Sequence, residues 1–235
     1  MKNQTLFLKK YKQLEKRLKT ISGLSSDTTN FRDLISISKK KNLIIKHKEN
    51  QIWDLYGLRN VLAHSDRDKY IAKINSVAFN ILDEIIDNID NPPSARDVFC
   101  CEVYCASIDN SIDDVLLKMK NRLFTHIPVY DGKRFLGILS ETTLLYWLVD
   151  NQNNIQLLKK KVDSINPRYF NLSENQYKFV SPNTSIFEIF NMFENSISKN
   201  ERLGSVLISK SGTRNGQLLG IVTAWDMPKI RNYFK

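Results

Sequence analysis

Two short stretches of the sequence carry side chains that could do chemistry. The first is LRNVLAH, residues 58–64, where Arg59, Asn60 and His64 interrupt an apolar run. An arginine presents a planar fork of donors that suits a phosphate, and a histidine titrates near neutral pH and can transfer a proton. These residue types suit phosphodiester cleavage, because Arg59 could hold the phosphate while His64 moves the proton and Asn60 orients one of them.

The spacing of these residues limits how they can cooperate. On an ideal helix Asn60 and His64 share a face, whereas Arg59 and His64 lie about 140° apart around the axis. A straight helix therefore cannot aim both at one atom. Either the helix ends near Ala63 and the chain turns His64 back, or the two residues act across a dimer. If these residues have no catalytic role, Arg59 is a solvated helix residue, and Asn60 and His64 are polar groups at a helix end.

The second stretch is GIVTAWD, residues 220–226. Thr223 opens a predicted helix, and backbone N–H groups at a helix start, beside a hydroxyl, favour a phosphate. The carboxylate of Asp226 can accept two hydrogen bonds from a vicinal diol, such as that of a ribose. The same Thr-x-x-Asp pattern is also a capping box. The residue types alone thus support both a nucleotide site and a helix cap.

The elements around the first stretch are predicted to be helices. Apolar residues recur at three- and four-residue steps through residues 1–90, which predicts four helices and, with short connections, an all-α bundle. A start signal stands at Asn30, the third helix covers roughly 51–64, and the last begins near Tyr70.

Positive charge is concentrated at the start of the chain. Residues 1–50 hold 13 Lys+Arg against 4 Asp+Glu, whereas residues 51–235 hold 22 against 21. A basic block supplies affinity for phosphate backbones, but it is equally typical of ordinary solvated helix faces. Charge alone does not separate these alternatives.

The segment DNPPSARD, residues 90–97, marks a predicted boundary, because two successive prolines cannot continue a helix. After it, β-type runs such as VFCCEVYCA, HIPVY and FLGILS alternate with helical runs. VYCASIDNSIDDVLLKM (103–119) matches YKFVSPNTSIFEIFNMF (177–193), and FLGILSETT matches LLGIVTAWD. Nine extra residues in the second copy fall chiefly in SKSGTRNG (209–216), a predicted hairpin loop. One copy is too small to bury its sheet alone, so the two copies should pack together.

This repeat resembles a tandem pair of CBS (cystathionine-beta-synthase) domains. We therefore expect an α+β or α/β protein with an N-terminal all-α helical bundle, followed by two β-α-β-β-α CBS repeats packed as a pair. The predicted domains are 1–92 for the bundle and 95–235 for the pair. Within the pair, repeat one covers about 95–150, the linker 151–176 and repeat two 177–235.

Tandem CBS pairs generally bind adenosine compounds in the cleft between the copies. The resemblance implies a regulatory ligand such as AMP, ADP, ATP or S-adenosylmethionine. The first copy has Thr143 where the acid should stand, so we expect one good site, built mainly from the second copy. The predicted ligand contacts are the backbone at Phe179, Val180, Leu203 and Gly204 for the adenine, together with Thr223 and Asp226.

The helical half resembles a HEPN domain (higher eukaryotes and prokaryotes nucleotide-binding), on its Arg59-Asn60 pair, three intervening residues and His64. Its basic early helices and its long amphipathic last helix also fit. Many members of that family are metal-independent ribonucleases that act as dimers. The resemblance therefore implies catalytic roles for Arg59, Asn60 and His64, an RNA substrate, a homodimer and no metal.

The composition bears on metal binding and on where the protein is located. Cys100, Cys101 and Cys105 lack the spacing of a zinc site and are predicted to be small apolar fillers in a strand. No apolar run approaches the roughly 20 residues that span a bilayer, and lysines interrupt the N-terminus too early for a secretory segment. We expect a cytoplasmic protein with no membrane partner.

Two hypotheses of function follow. The first is an adenine-nucleotide-sensing CBS protein whose ligand state regulates a HEPN-like endoribonuclease. The alternative is a non-catalytic nucleotide-sensing protein whose helical half serves regulation or dimerisation.

Overall fold

The chain forms two compact units, Met1–Pro93 with Arg231–Lys235, and Ser94–Ile230. The computed structural model describes residues 2–24, 30–64, 74–152, 154–170, 176–199 and 201–234. Within these ranges, no helix is long and apolar enough to cross a bilayer.

The first unit is helical. Its helices are α1 (Lys2–Ser22), α2 (Phe31–Lys41), α3 (Leu43–His47), α4 (Glu49–His64) and α5 (Ser76–Asp90). Asn30 caps α2 as expected, since its side chain accepts from the backbone N–H of Arg32. The short helix α3 was not predicted, and it is separate because Asn42 interrupts the helical path and caps it. The predicted start of the last helix at Tyr70 lies outside the described residues, and α5 is capped by Asn75.

One face of α1 forms the centre of the helical core. Phe7, Tyr11, Leu14 and Leu18 are at most 1% exposed, and their spacing of four, three and four residues is the helical period. Basic residues of the first fifth of the chain form ion pairs inside this unit, and these pairs offset part of the predicted positive block. The pairs are Lys10–Asp83, Arg17–Asp90, Lys39–Glu49 and Lys48–Glu84.

The second unit contains the two repeats. After α6 (Ala95–Phe99), repeat one runs β1 (Ala106–Ser107), α7 (Ile112–Arg122), β2 (His126–Asp131), β3 (Arg134–Ser140) and α8 (Glu141–Asp150). Three short 3-10 turns follow, at Ile155–Lys159, Val162–Ser164 and Pro167–Phe170. Repeat two runs β4 (Tyr177–Val180), α9 (Ile186–Ser198), β5 (Ser205–Ser209), β6 (Leu218–Thr223), a 3-10 turn (Ala224–Asp226) and α10 (Met227–Arg231). The predicted fold class, a helical region followed by two β-α-β-β-α repeats, is confirmed.

Each repeat has its own three-stranded sheet, in the order β1-β2-β3 and β4-β5-β6. In both sheets the first two strands are parallel and the last two antiparallel. The prediction of a strand over VFCCEVYCA was wrong. A capping box between Ser94 and Asp97 starts a helix that includes Phe99, and β1 has only two residues. The three cysteines are free and lie outside the named strands.

The two sheets share an apolar core. Phe135, Ile138 and Leu207 are buried there, and side chains from both repeats surround them. The Phe135 ring lies 5.5 Å from the Tyr177 ring and 5.2 Å from the Phe179 ring, in edge-to-face contacts. Neither sheet could bury this face alone, so the repeats stabilise each other.

Leu207→Ala should lower the free energy of unfolding by about 2–5 kcal/mol, because it opens a cavity in this shared core. Urea denaturation followed by circular dichroism measures the change. The matched control is Ile197→Ala, since Ile197 is 77% exposed whereas Leu207 is 0% exposed. Equal losses in the two variants would contradict a shared core at Leu207.

Candidate functional site

Four of the six residues predicted to bind the ligand lie at one end of the second sheet, namely Leu203, Gly204, Thr223 and Asp226. Thr223, the last residue of β6, pairs with Ser205, the first residue of β5. Ser205 also lies opposite Tyr177, the first residue of β4. The N–H of Gly204 donates to the carbonyl of Gln176 at 2.7 Å, which fixes the chain just before β5. The register of three strands therefore places Gly204 beside Thr223 and the turn that carries Asp226.

Asp226 forms the predicted capping box. Its Oδ2 accepts from the backbone N–H of Thr223 at 2.8 Å and from the Thr223 hydroxyl at 3.0 Å. Among the described residues none donates to Oδ1. One carboxylate oxygen thus holds the turn, and the other can accept a hydrogen bond from a ligand. Trp225, between these two residues, is 79% exposed.

Ser205 has an unsatisfied hydroxyl at the same place. It is 0% exposed, and its Oγ has no partner within the described part of the chain. Paired residues of antiparallel strands share a face, so the Ser205 and Thr223 side chains lie on the same side of the sheet. A buried hydroxyl without a partner costs roughly 1–3 kcal/mol, and a ligand that displaced the atoms covering it would recover this free energy. Sequence reasoning missed Ser205, because only the strand register places it opposite Thr223.

The predicted adenine contacts divide into two places. Leu203 and Gly204 lie at the Thr223 end of the sheet. Phe179 and Val180 pair with residues two and three positions beyond Ser205 along β5, which is about 7–10 Å farther up the sheet. The Phe179 ring belongs to the shared core, and Val180 is buried.

The first repeat contributes His126 to this end of the second sheet. A Cβ at position 204 would lie 2.5 Å from His126 Nε2, so only glycine lets the ring approach the backbone. His126 Nδ1 lies 2.9 Å from the hydroxyl of Thr125. Burial lowers the pKa of His126, which favours the neutral ring at pH 7. An uncharged imidazole thus flanks Gly204.

The corresponding turn of the first repeat is closed. Thr143 is 2% exposed, and its hydroxyl accepts from the N–H of Ser140 at 2.8 Å and donates to the Ser140 carbonyl at 2.9 Å. It replaces the carboxylate in the cap and has no free charge to offer. Of the two capped turns, only that of the second repeat carries a carboxylate.

The three candidate catalytic residues lie on α4 in the helical unit. The Nη1 of Arg59 donates to Oδ1 of Asn60 at 3.1 Å, and both side chains are half-buried. His64 is the last residue of α4. Its helical position is about 140° around the axis from Arg59, and its side chain lies outside the described residues. Arg59 and His64 therefore occupy different faces of one helix.

Tyr11 lies within the electrostatic reach of Arg59. Burial raises the pKa of Tyr11, and the Arg59 guanidinium acts in the opposite direction. The Tyr11 hydroxyl is buried without a partner in the described residues. Within the same ranges no acid forms an ion pair with Arg59. From the sequence, Tyr11 was only one of the apolar residues at helical spacing.

The described side chains form no cluster of three or more His, Cys, Asp or Glu residues that could hold a metal ion. The polar groups described at these two places are a hydroxyl, a carboxylate oxygen and a neutral imidazole in the second unit, and a guanidinium in the first.

The CBS domain family model matches residues 95–150 and 172–230. A search of curated proteins finds no match to this chain. Similar solved structures include AcuB of Vibrio cholerae, at 16% identity over 60% of this chain and 91% of that chain, with a TM-score of 0.46. The CBS domain pair of protein MJ0100, in complex with 5′-methylthioadenosine and S-adenosyl-L-methionine, has 15% identity, coverages of 61% and 99%, and a TM-score of 0.44. CBSX2 in complex with AMP has 17% identity, coverages of 59% and 96%, and a TM-score of 0.41.

All three TM-scores are below 0.5, so the assignment depends on the two matches of the family model and on the β-α-β-β-α unit that each match covers. Residues 95–150 and 172–230 are therefore a tandem pair of CBS domains.

Proposed function

We propose that the CBS pair senses an adenosine compound, bound where β5 and β6 meet, and that its occupancy regulates the helical unit. The observation that carries the proposal is the unsatisfied Ser205 hydroxyl opposite Thr223, beside the open Oδ1 of Asp226. A buried donor and an unused carboxylate oxygen at one end of a sheet suit a ligand with several hydroxyl groups.

In this arrangement Asp226 accepts hydrogen bonds from the ribose, and Thr223 lies beside the phosphate. The adenine lies against the backbone of Gly204, where the neutral His126 ring from the first repeat forms one wall. The tests use AMP and S-adenosylmethionine, the ligands named in the CBSX2 and MJ0100 structures.

Asp226→Asn should weaken binding of AMP or S-adenosylmethionine roughly 10- to 100-fold, because hydrogen bonds to a charged acceptor are worth about 1.5–3 kcal/mol. The asparagine amide oxygen can still accept from the Thr223 N–H, so the ligand-free protein should keep its melting temperature. Isothermal titration calorimetry measures the binding, and thermal melts with and without ligand provide a second readout.

The control for this substitution is Glu141→Gln, an exposed acid in the first turn of α8 in the first repeat. It should leave ligand binding unchanged. The proposed role of Asp226 in binding a ribose is wrong if neither ligand raises the melting temperature of the wild type. It is also wrong if Asp226→Asn binds the ligand as tightly as the wild type.

Ser205→Ala should weaken ligand binding without lowering the stability of the ligand-free protein. Removing an unsatisfied buried hydroxyl should leave the ligand-free protein equally or more stable, whereas the complex should lose one hydrogen bond and bind about 3- to 10-fold more weakly. Thermal melts and calorimetry measure the two effects. Loss of stability without loss of affinity would mean that Ser205 has only a packing role.

We further propose that the helical unit is a metal-independent endoribonuclease of the HEPN type, acting as a homodimer. Support comes from Arg59, which forms no ion pair with a described acid and is held by Asn60. Because Arg59 and His64 occupy different faces of α4, a shared phosphate needs Arg59 from one copy and His64 from the other. Association is also favoured by α8, whose Leu145, Tyr146 and Val149 are all about half exposed.

The chain itself offers a route from ligand to helices. Helix α10 begins one residue after Asp226, and residues 231–234 then group with the helical unit. There the Phe234 ring stacks on His47 at 4.0 Å between ring centroids. A ligand that shifts the turn at Asp226 would therefore displace a segment packed on α3, provided that it binds the two arrangements with different affinity.

Purified wild-type protein should cleave single-stranded RNA in the presence of EDTA. Arg59→Ala and His64→Ala should each lower the rate at least about 100-fold, the usual contribution of a general acid or base or of a preorganised cation. Labelled RNA separated on a denaturing gel measures the rate. AMP or S-adenosylmethionine should change it in the wild type and not in Phe234→Ala.

The matched control is Arg32→Ala, which removes an exposed arginine from the first turn of α2 and should cleave like the wild type. Cleavage that persists in His64→Ala comes from a contaminant or another site. A wild type that binds the ligand without cutting RNA is the non-catalytic sensor of the alternative hypothesis.

A further inference from the structure

We propose that the CBS pair holds a second small-molecule site, for a planar organic anion, at the opposite end of its sheets from Thr223 and Asp226. A cavity of about 640 Å³ lies there between the two repeats. Its size is within the range of about 300–1,000 Å³ that is usual for small-molecule pockets. The walls are Cys105, Ala106, Ser107, Tyr130, Gly132 and Lys133 from the first repeat, and residues 215–218 from the second.

The strand register separates this cavity from the proposed nucleotide site. Leu218, in its wall, is the first residue of β6, whereas Thr223 is the last. Leu218 and Thr223 are five residues apart along the strand, which corresponds to about 17 Å. In the first repeat, Gly132 and Lys133 form the turn between β2 and β3, away from the capped turn at Ser140. A ligand in the cavity therefore does not need Asp226.

One wall of the cavity is the loop that contains the extra residues of the second repeat. The connection between β5 and β6 covers residues 210–217, whereas β2 and β3 are joined by two residues. Arg214 fastens this loop to the first repeat, since its Nη2 donates to the Phe135 carbonyl at 3.1 Å and its guanidinium lies 5.4 Å from the Phe135 ring centroid.

The loop is also braced internally. The Ser209 hydroxyl donates to the Thr213 carbonyl at 2.7 Å, and the Ser211 and Thr213 hydroxyls are 2.8 Å apart. A Cβ at Gly216 would lie 2.3 Å from the Ser211 hydroxyl, so this closure requires glycine. The wall is held in place before any ligand arrives, and preorganisation of this kind favours binding.

The lining defines the chemistry of the ligand. The cavity lining contains one charged side chain, that of Lys133, and no Asp or Glu. Within the described residues, Lys133 forms no ion pair. This balance favours an anion. The Tyr130 ring and Leu218 offer apolar contact to a planar body, and the amides of Asn215 and Gln217 can hydrogen-bond its edge.

Two of the lining residues, Tyr130 and Cys105, carry neutral polar groups. The Tyr130 hydroxyl is fully buried and has no partner among the described residues. Burial raises the pKa of Tyr130, and it raises the pKa of Cys105 to about 11, so both groups keep their protons at neutral pH. These groups therefore add no negative charge that would repel an anion.

The probe for the test is 8-anilinonaphthalene-1-sulfonate, a planar aromatic monoanion whose fluorescence rises in apolar surroundings. Titration of the full chain should show one saturable site per protomer. Lys133→Gln should weaken binding about 5- to 10-fold, Arg214→Ala should weaken it by loosening the wall, and Leu218→Trp should abolish it by filling the cavity. Lys120→Gln, on the exposed face of α7, and Asp226→Asn should bind the probe like the wild type.

Alkylation by iodoacetamide, followed by mass spectrometry, locates the probe. Bound probe should slow modification of Cys105 at least threefold and leave the exposed Cys101 unchanged. Melting temperatures show which variants are folded, and Lys133→Gln changes only an exposed side chain. The proposal is overturned if the probe does not bind saturably. It is also overturned if Lys133→Gln binds the probe as tightly as the wild type and the probe does not protect Cys105. Because Asp226→Asn is a neutral control here, failure of the nucleotide site leaves this result interpretable.

Discussion

The structure of the second unit depends on one constraint, which is that a three-stranded sheet cannot bury both of its faces with one repeat. The helices of each repeat cover one face, and the other face is buried only because the sheet of the other repeat packs against it through Phe135 and Leu207. This packing brings the strand starts of the two repeats together, so that His126 touches Gly204. It also brings the long loop of the second repeat onto Phe135. Both candidate sites of this unit exist because the two sheets must share a core.

The turn at Asp226 shows how a capping carboxylate can leave one of its oxygens unused. A carboxylate has two oxygens, and the cap occupies Oδ2 with two hydrogen bonds from Thr223. In the first repeat a threonine hydroxyl takes the place of the carboxylate in the capping box, and it leaves no acceptor of comparable strength. The difference between the repeats therefore lies in what remains after the cap is satisfied, and the Thr-x-x-Asp pattern by itself could not separate the two roles.

Much of the fold could be predicted because its signals are local. The helical period of Phe7, Tyr11 and Leu14, the cap at Asn30 and the duplication of β-α-β-β-α units depend on residues that are neighbours in the sequence. The parts that sequence reasoning missed depend on register and on distant packing. Nothing in the sequence pairs Ser205 with Thr223, places Tyr11 near Arg59, or separates Val180 from Gly204 by the length of a strand. Likewise, the composition of the extra residues in the second repeat predicted a loop, but it did not predict the hydrogen bond from Arg214 to the Phe135 carbonyl.

The division of the chain into units has a topological consequence. Because residues 231–234 return to the helical unit, the CBS pair is an insertion within that unit rather than an appendage at its end. A fragment cut after Pro93 would lack the aromatic ring that stacks on His47, so the bundle excised in this way is incomplete. The chain therefore passes between the two units twice, after Pro93 and after Ile230.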